Sequence, residues 1–270
     1  MAQQRVSWDE LVSRARLADE LGFDGIWGFD HFQPMYGSGP GECFEGWTTL
    51  AALAGVTTRV RLGLLVTGNT YRHPPLLASE AITVDHASAG RVELSLGAAW
   101  FEKEHRELGI EFPSTGERID RFEEALQVIR LLLTTDDASF AGRHYQLDHA
   151  TLHPRPVQKP HPPIWIGASG ERRMLPLAAR YADVWHCYGG VEDLSRKSRL
   201  VDEHAERAGR DPSQIVRSTS VSLSEPIDEV RATVEAWSDA GFGYLIAGWP
   251  TEGRERVEEF GGLLPELTRH

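Results

Sequence analysis

Apolar positions fall into two alternating patterns along the chain. Short runs that are aliphatic, β-branched or aromatic almost throughout occupy Gly25–Phe29, Val60–Val66, Val92–Leu96, Ile164–Gly167, Val184–His186, Val216–Leu223 and Tyr244–Ala247. Runs that are short and apolar on both faces predict the strands of a buried parallel sheet. Between them apolar residues recur at helical spacing. Trp8, Leu11, Val12, Ala15 and Ala18 make one stripe, and Ile119, Phe122, Leu126, Ile129 and Leu133 a second. Ile227, Val230, Val234 and Trp237 make a third, and Val257, Phe260, Leu264 and Leu267 a fourth. Ser7 and Glu10 stand in capping-box register at the start of the first helix, and Gly22 marks its end.

This alternation predicts an α/β fold, a (β/α)8 TIM barrel in a single domain across 1–270, with helices covering a parallel sheet. A seven-strand doubly wound sheet is the competing architecture. Seven strands are predicted where the barrel needs eight, and a helix comes first. The missing strand belongs ahead of Trp8, so either the barrel has an unusual first element or the start lies too far downstream. Residues 136–163 interrupt the rhythm with Pro154, Pro156, Pro160, Pro162 and Pro163. That density of proline excludes a helix or central strand. It reads as a long loop at one end of the barrel, with a small hairpin around Phe140–Leu147.

Composition narrows the function. Hydrophobic residues make up 41% and charged residues 25% of 270, as expected of a folded chain rather than a disordered one. Twenty-eight basic against 40 acidic residues give a net charge of −12, which disfavours nucleic acid and anionic membrane as partners. Cys43 and Cys187 form no C-x-x-C pair, so neither a disulfide framework nor a cysteine-built zinc site is expected. No signal-peptide core and no membrane-length apolar run is evident. A soluble, globular protein of the reducing cytoplasm fits these features.

Ligand sites in parallel β/α proteins gather at the C-terminal ends of the strands. Here those ends read Asp30-His31-Phe32, Thr67 to Pro74, Gly97-Ala98-Ala99-Trp100, Gly167 to Glu171, Trp185 to Tyr188 and Gly248-Trp249-Pro250. Aromatic walls with few ionisable groups suit a large planar ligand. Gly167-Ala168-Ser169-Gly170 joins a strand to a helix and either cradles a phosphate or makes a tight turn. Asp30-His31 is the best acid–base pair, against a purely structural reading. His144, His149, His153 and His161 share no helix face, so a metal site is not expected there.

Several of these segments together resemble the bacterial luciferase-like oxidoreductases. The resemblance rests on Ala18–Phe32, on Arg61–Thr67 with Arg72–Ala78, and on Gly90–Gly97 with Trp100 and Glu104. Pro162–Gly170 with Ala182–Trp185 completes it. It is greatest for the subgroup that uses the deazaflavin coenzyme F420, although FMN users share most of these motifs. It implies a (β/α)8 barrel whose C-terminal mouth holds the ring. Leu65-Val66 would form a bulge under the ring, often with a non-prolyl cis peptide. Asp30 and Thr67 would bond the ring edge, and Gly97, Ala98, Ala99 and Trp100 would line the cofactor. Gly167, Ala168, Ser169 and Gly170 would hold its phosphate, and His31 would exchange the proton that accompanies hydride transfer. A homodimer formed around the helix after Gly46 is also implied.

Trp100 stands where the family's sugar-phosphate dehydrogenases carry an acid, which argues against that substrate class. Three functions follow. The first is an F420-dependent oxidoreductase. The second is an FMN-dependent monooxygenase fed by a separate reductase. The third is a flavin-binding protein without catalysis.

Overall fold

The computed structural model describes residues 3–267. In chain order the elements are α1 (Trp8–Leu21), β1 (Gly25–Gly28), α2 (Gly46–Ala54), β2 (Arg61–Leu64), β3 (Thr67–Gly68), α3 (Pro74–Ala87) and β4 (Val92–Gly97). Next come α4 (Glu102–Leu108), α5 (Thr115–Thr134), β5 (Ala138–Ala141), β6 (Gln146–Ala150), β7 (Ile164–Gly167) and α6 (Met174–Tyr181). The remainder is β8 (Val184–His186), α7 (Val191–Arg207), β9 (Val216–Val221), α8 (Ile227–Asp239), β10 (Tyr244–Ala247), α9 (Arg254–Gly261) and α10 (Leu264–Leu267).

The main sheet runs β1-β2-β4-β7-β8-β9-β10, every pairing parallel, with β3 continuing beside β4 beyond a break in β2. It curls into a nearly closed barrel, not a doubly wound sheet. Among the described residues no strand joins the outer edges of β1 and β10. Part of the β1 edge is covered by a side chain instead. The Gln3 amide accepts from the Phe29 N–H at 3.0 Å and donates to the Phe29 carbonyl, so it pairs with the backbone as a peptide group would.

Local chemistry explains the elements. Ser7 caps α1 through the Glu10 N–H at 3.2 Å, and Gly22 ends it in the left-handed region. The central strands of the main sheet are buried from both sides, β4 along its whole length, because helices cover the outside and side chains fill the inside. Trp27, Trp165, Val184 and Ile246 form a cluster within the barrel, joined by Leu65 and Tyr244. Trp27 lies 4.3 Å from Trp165, and Tyr244 lies 4.9 Å from Trp165. Gly63 makes room for this aromatic floor, since a Cβ there would stand 2.3 Å from the Trp27 ring. Glu93 ties the floor down, accepting from the Trp165 indole at 2.6 Å and from Arg61.

The expected hairpin is β5–β6. Glu124 of α5 holds its turn by accepting the N–H groups of Arg143, His144 and Tyr145 at 2.8–3.0 Å. Trp47, Leu50 and Leu53 of α2 are buried in the chain's own core. No helix among the described residues is long and apolar enough to cross a membrane.

Candidate active site

The strands open at their C-terminal ends onto a cavity of about 720 Å³, a volume suited to an organic cofactor or substrate. Asp30 and His31 line it from the end of β1, and Leu65 and Val66 from the break between β2 and β3. Gly97 to Trp100 follow from β4, Gly167 to Gly170 from β7, and His186 to Tyr188 from β8. Met35 and Tyr36 reach in from the loop after β1, and Thr115, Arg118 and Ile119 from α5. No residue of 136–163 lines it, so the proline-rich insertion is not part of this wall.

The break carries a cis peptide between Leu65 and Val66. Val66 projects between two neighbouring strands, and the glycines there admit it. A Cβ on Gly97 would stand 2.6 Å from Val66 Cγ2, and one on Gly167 would stand 2.9 Å from Val66 Cγ1. These glycines are therefore seats for a side chain from the break beside β4, one strand away from Gly97 and two from Gly167.

His31 is built for proton exchange. Its Nδ1 lies 3.0 Å from Glu104 Oε2. Glu104, fully buried, also accepts from the Phe32 and Gln33 N–H groups at 2.7 and 2.8 Å and from the Tyr71 hydroxyl. Burial alone would raise the Glu104 carboxyl, but the bonds from His31, Tyr71 and Phe32 hold it below the usual carboxylate range. An ionised Glu104 only accepts, so His31 Nδ1 carries a proton and Nε2 is left for the cavity.

Asp30 has a different task. It takes Arg72 on both oxygens, at 2.9 and 2.7 Å, and the Gly68 N–H at 2.9 Å. Burial pushes its carboxyl above the ordinary range against these partners. Arg72 also meets Glu45 and, at 3.1 Å, Glu80. One guanidinium thus gathers three carboxylates and locks the end of β1 to the start of α3. Thr67, expected at the ring edge, is fully buried and accepts the Trp47 indole N–H at 3.2 Å. It does not line the cavity.

Two buried nitrogens of the lining residues lack a hydrogen-bond partner among the described residues. One is Arg118 Nε, whose guanidinium stacks 3.9 Å over Phe112 and bonds the Pro113 carbonyl at 2.6 Å. The other is His186 Nε2, on a ring whose Nδ1 meets Ser218 Oγ at 2.9 Å. Burial holds His186 down to about 3, so it stays neutral. Tyr36, Trp100 and Tyr188 stand exposed at the mouth. Trp249 lies elsewhere, in the cleft between β1 and β10 beneath Arg14. Nor do the four histidines of the insertion gather: His149 pairs with Asp137 at 2.7 Å, and His161 meets the Pro162 carbonyl.

Residues 1–261 match the luciferase-like monooxygenase family. The chain belongs to that family. It is 29% identical over 89% of its length to the FMNH(2)-dependent dimethylsulfone monooxygenase of Pseudomonas putida, covering 68% of that protein. It is 32% identical over 83% of its length to the F420-dependent glucose-6-phosphate dehydrogenase of Amycolatopsis mediterranei, covering 67%. A third relative, the F420-dependent hydroxymycolic acid dehydrogenase of Mycobacterium tuberculosis, is 31% identical over 80% of the chain, which covers 59% of it. The chain thus spans between 59% and 68% of the length of these relatives. Among solved structures, an F420-dependent secondary alcohol dehydrogenase holding an F420-acetone adduct superposes with a TM-score of 0.87. That likeness covers 98% of this chain and 97% of the other at 20% identity, and so speaks for the fold.

In this luciferase-like barrel, sequence reasoning located the strand ends but missed the residues behind them. Glu104 and Arg72 counted only as parts of motifs, with no role of their own. His186 did carry a signal, as a polar residue inside an apolar run.

Proposed function

We propose that the chain is an oxidoreductase moving a hydride between the deazaflavin F420 and a small organic substrate. The observation that carries this reading is the His31–Glu104 pair on the wall of a cavity that also holds the Val66 bulge and the Gly167–Gly170 turn. The residues present fit such a cofactor. Two buried nitrogens without partners, Arg118 Nε and His186 Nε2, suit a wall completed by a polar ligand.

Bound here, the deazaflavin supplies the site that gives or takes the hydride. Val66 and Leu65 would support its ring, while Ser169, Gly170 and the Arg118 guanidinium would hold its phosphate. His31 Nε2 gives or takes the accompanying proton at the substrate oxygen, and ionised Glu104 stabilises the imidazolium that results. Asp30 is a positioning residue in this scheme, because Arg72 and Gly68 already occupy its oxygens. The aromatic mouth gives an apolar substrate its contact surface.

The test is a parallel titration with F420 and FMN, oxidised and reduced, followed by anaerobic turnover. Binding of F420 at least tenfold tighter than FMN, with turnover independent of oxygen, is the expected result. A second reading, an FMN-dependent monooxygenase with a separate reductase, draws on the relative that aligns over 89% of the chain. It requires preference for reduced FMN and oxygen consumption. Binding without any turnover would leave a non-catalytic flavin carrier.

A further inference from the structure

We propose that His186 holds the hydroxylated linker between the ring and the phosphate of the bound cofactor. The inference rests on reading the cavity as a flavin or deazaflavin site. His186 is opposite Gly167 in the β7–β8 register. Gly167 in turn touches both features that would fix the two ends of such a ligand. Its Cα carries the seat for Val66, and its chain leads directly into Ala168–Gly170. The Ala168 N–H returns to the His186 carbonyl at 3.1 Å, which fastens the turn to the strand that presents the imidazole. A ligand with its ring on Val66 and its phosphate at Ser169–Gly170 therefore has to pass His186.

Chemistry selects the group that meets it. Val184 faces the barrel interior and Trp185 the outer core, so strand alternation turns His186 inward. Its Nδ1 is engaged by Ser218, whereas Nε2 has no partner among the described residues although the residue is almost wholly buried. No carboxylate forms an ion pair with it among the described residues, so the imidazole is a neutral contact, unlike His31 with Glu104 behind it. Ser218 can donate to Nδ1 or accept from it, which leaves Nε2 as donor or acceptor. A hydroxyl satisfies either form, because it can both donate and accept. A carbonyl or a phosphate oxygen would satisfy only one.

Ligand truncation tests this without turnover. Two series would be titrated by fluorescence. One is FMN, riboflavin and lumiflavin. The other is F420, its phosphate-free 8-hydroxy-5-deazariboflavin core, and the same ring carrying only an N10-methyl group. His186→Leu should weaken the two polyol-bearing members of whichever series binds by about tenfold, the loss expected for one buried hydrogen bond. The ring-only member should stay within about twofold. His186→Gln, which keeps a polar amide and the fold, should weaken the polyol-bearing ligands less than His186→Leu does. Equal weakening of all three members, or no weakening, overturns the assignment while leaving the cofactor reading intact. If the unmodified chain binds neither series, the cofactor reading fails and the inference falls with it.

Discussion

His31 Nδ1 and Glu104 Oε2 meet at 3.0 Å across 73 residues of sequence. The carboxylate is buried in the wall and takes two backbone N–H groups from the segment right after His31. It therefore sets both the tautomer of the imidazole and the path of the chain that carries it. His31→Ala should lower turnover by about 10²–10⁴-fold, the usual worth of a general acid–base group. Cofactor affinity should hardly change. Glu104→Gln should lower turnover as well and should shift the pH–rate profile, because the imidazolium loses its counter-charge. Full activity in both variants would remove the pair from the mechanism.

Val66 and its two glycine seats should behave as one unit. Gly97→Ala and Gly167→Ala each place a methyl within 3.0 Å of Val66, and overpacking of this kind costs about 1–3 kcal/mol. Adding Val66→Ala should recover part of that loss, a coupling of roughly 0.5–3 kcal/mol in a double-mutant cycle. Urea unfolding of the three single and two double variants measures it, and strictly additive losses would contradict the packing.

Arg72 holds three acids, and Asp30 among them is essentially inaccessible. Arg72→Met should cost about 3–5 kcal/mol, the penalty for stranding a buried charge. Asp30→Asn in the same chain should give much of it back. If the double variant is no more stable than Arg72→Met alone, the stranded charge is not the cause.

Protonation of His186 supplies a pH signature. It is held down to about 3 in the folded chain against 6.5 ordinarily, so between those values the unfolded chain binds the extra proton. Stability then falls as pH drops from about 6.5 toward 3, by up to ~1.4 kcal/mol per pH unit. His186→Gln removes that contribution. Its stability relative to the unmodified chain should improve by roughly 1–2 kcal/mol between pH 7 and 5. Parallel stability curves would place His186 in contact with water.

The barrel was legible because its strands are apolar on both faces, so Ile164–Gly167, Val184–His186 and Tyr244–Ala247 stand out to the residue. The strand ends followed, since every expected cofactor contact except Thr67 lines the cavity. Thr67 misled because the break at Leu65–Val66 restarts the strand, after which its hydroxyl meets Trp47 rather than the cavity. Glu104 was harder to see. It lies in Glu-Lys-Glu-His-Arg-Glu-Leu, a run that reads as a solvated helix face, and only tertiary packing buries it. His186 broke the apolar pattern of its strand, but whether a strand histidine meets water, a metal or nothing is decided by neighbours such as Ser218, 32 residues on.

The floor of Trp27, Trp165 and Tyr244 has a kinetic consequence. With those rings filling the barrel interior below the cavity, the C-terminal mouth becomes the shared passage for a cofactor and its substrate. Whichever molecule rests deeper, on Val66, has to arrive first and depart last. Steady-state kinetics should then follow an ordered sequence: the deeper ligand competes with its own product for the empty cavity, the shallower ligand competes with neither product, and an excess of it traps the deeper one inside.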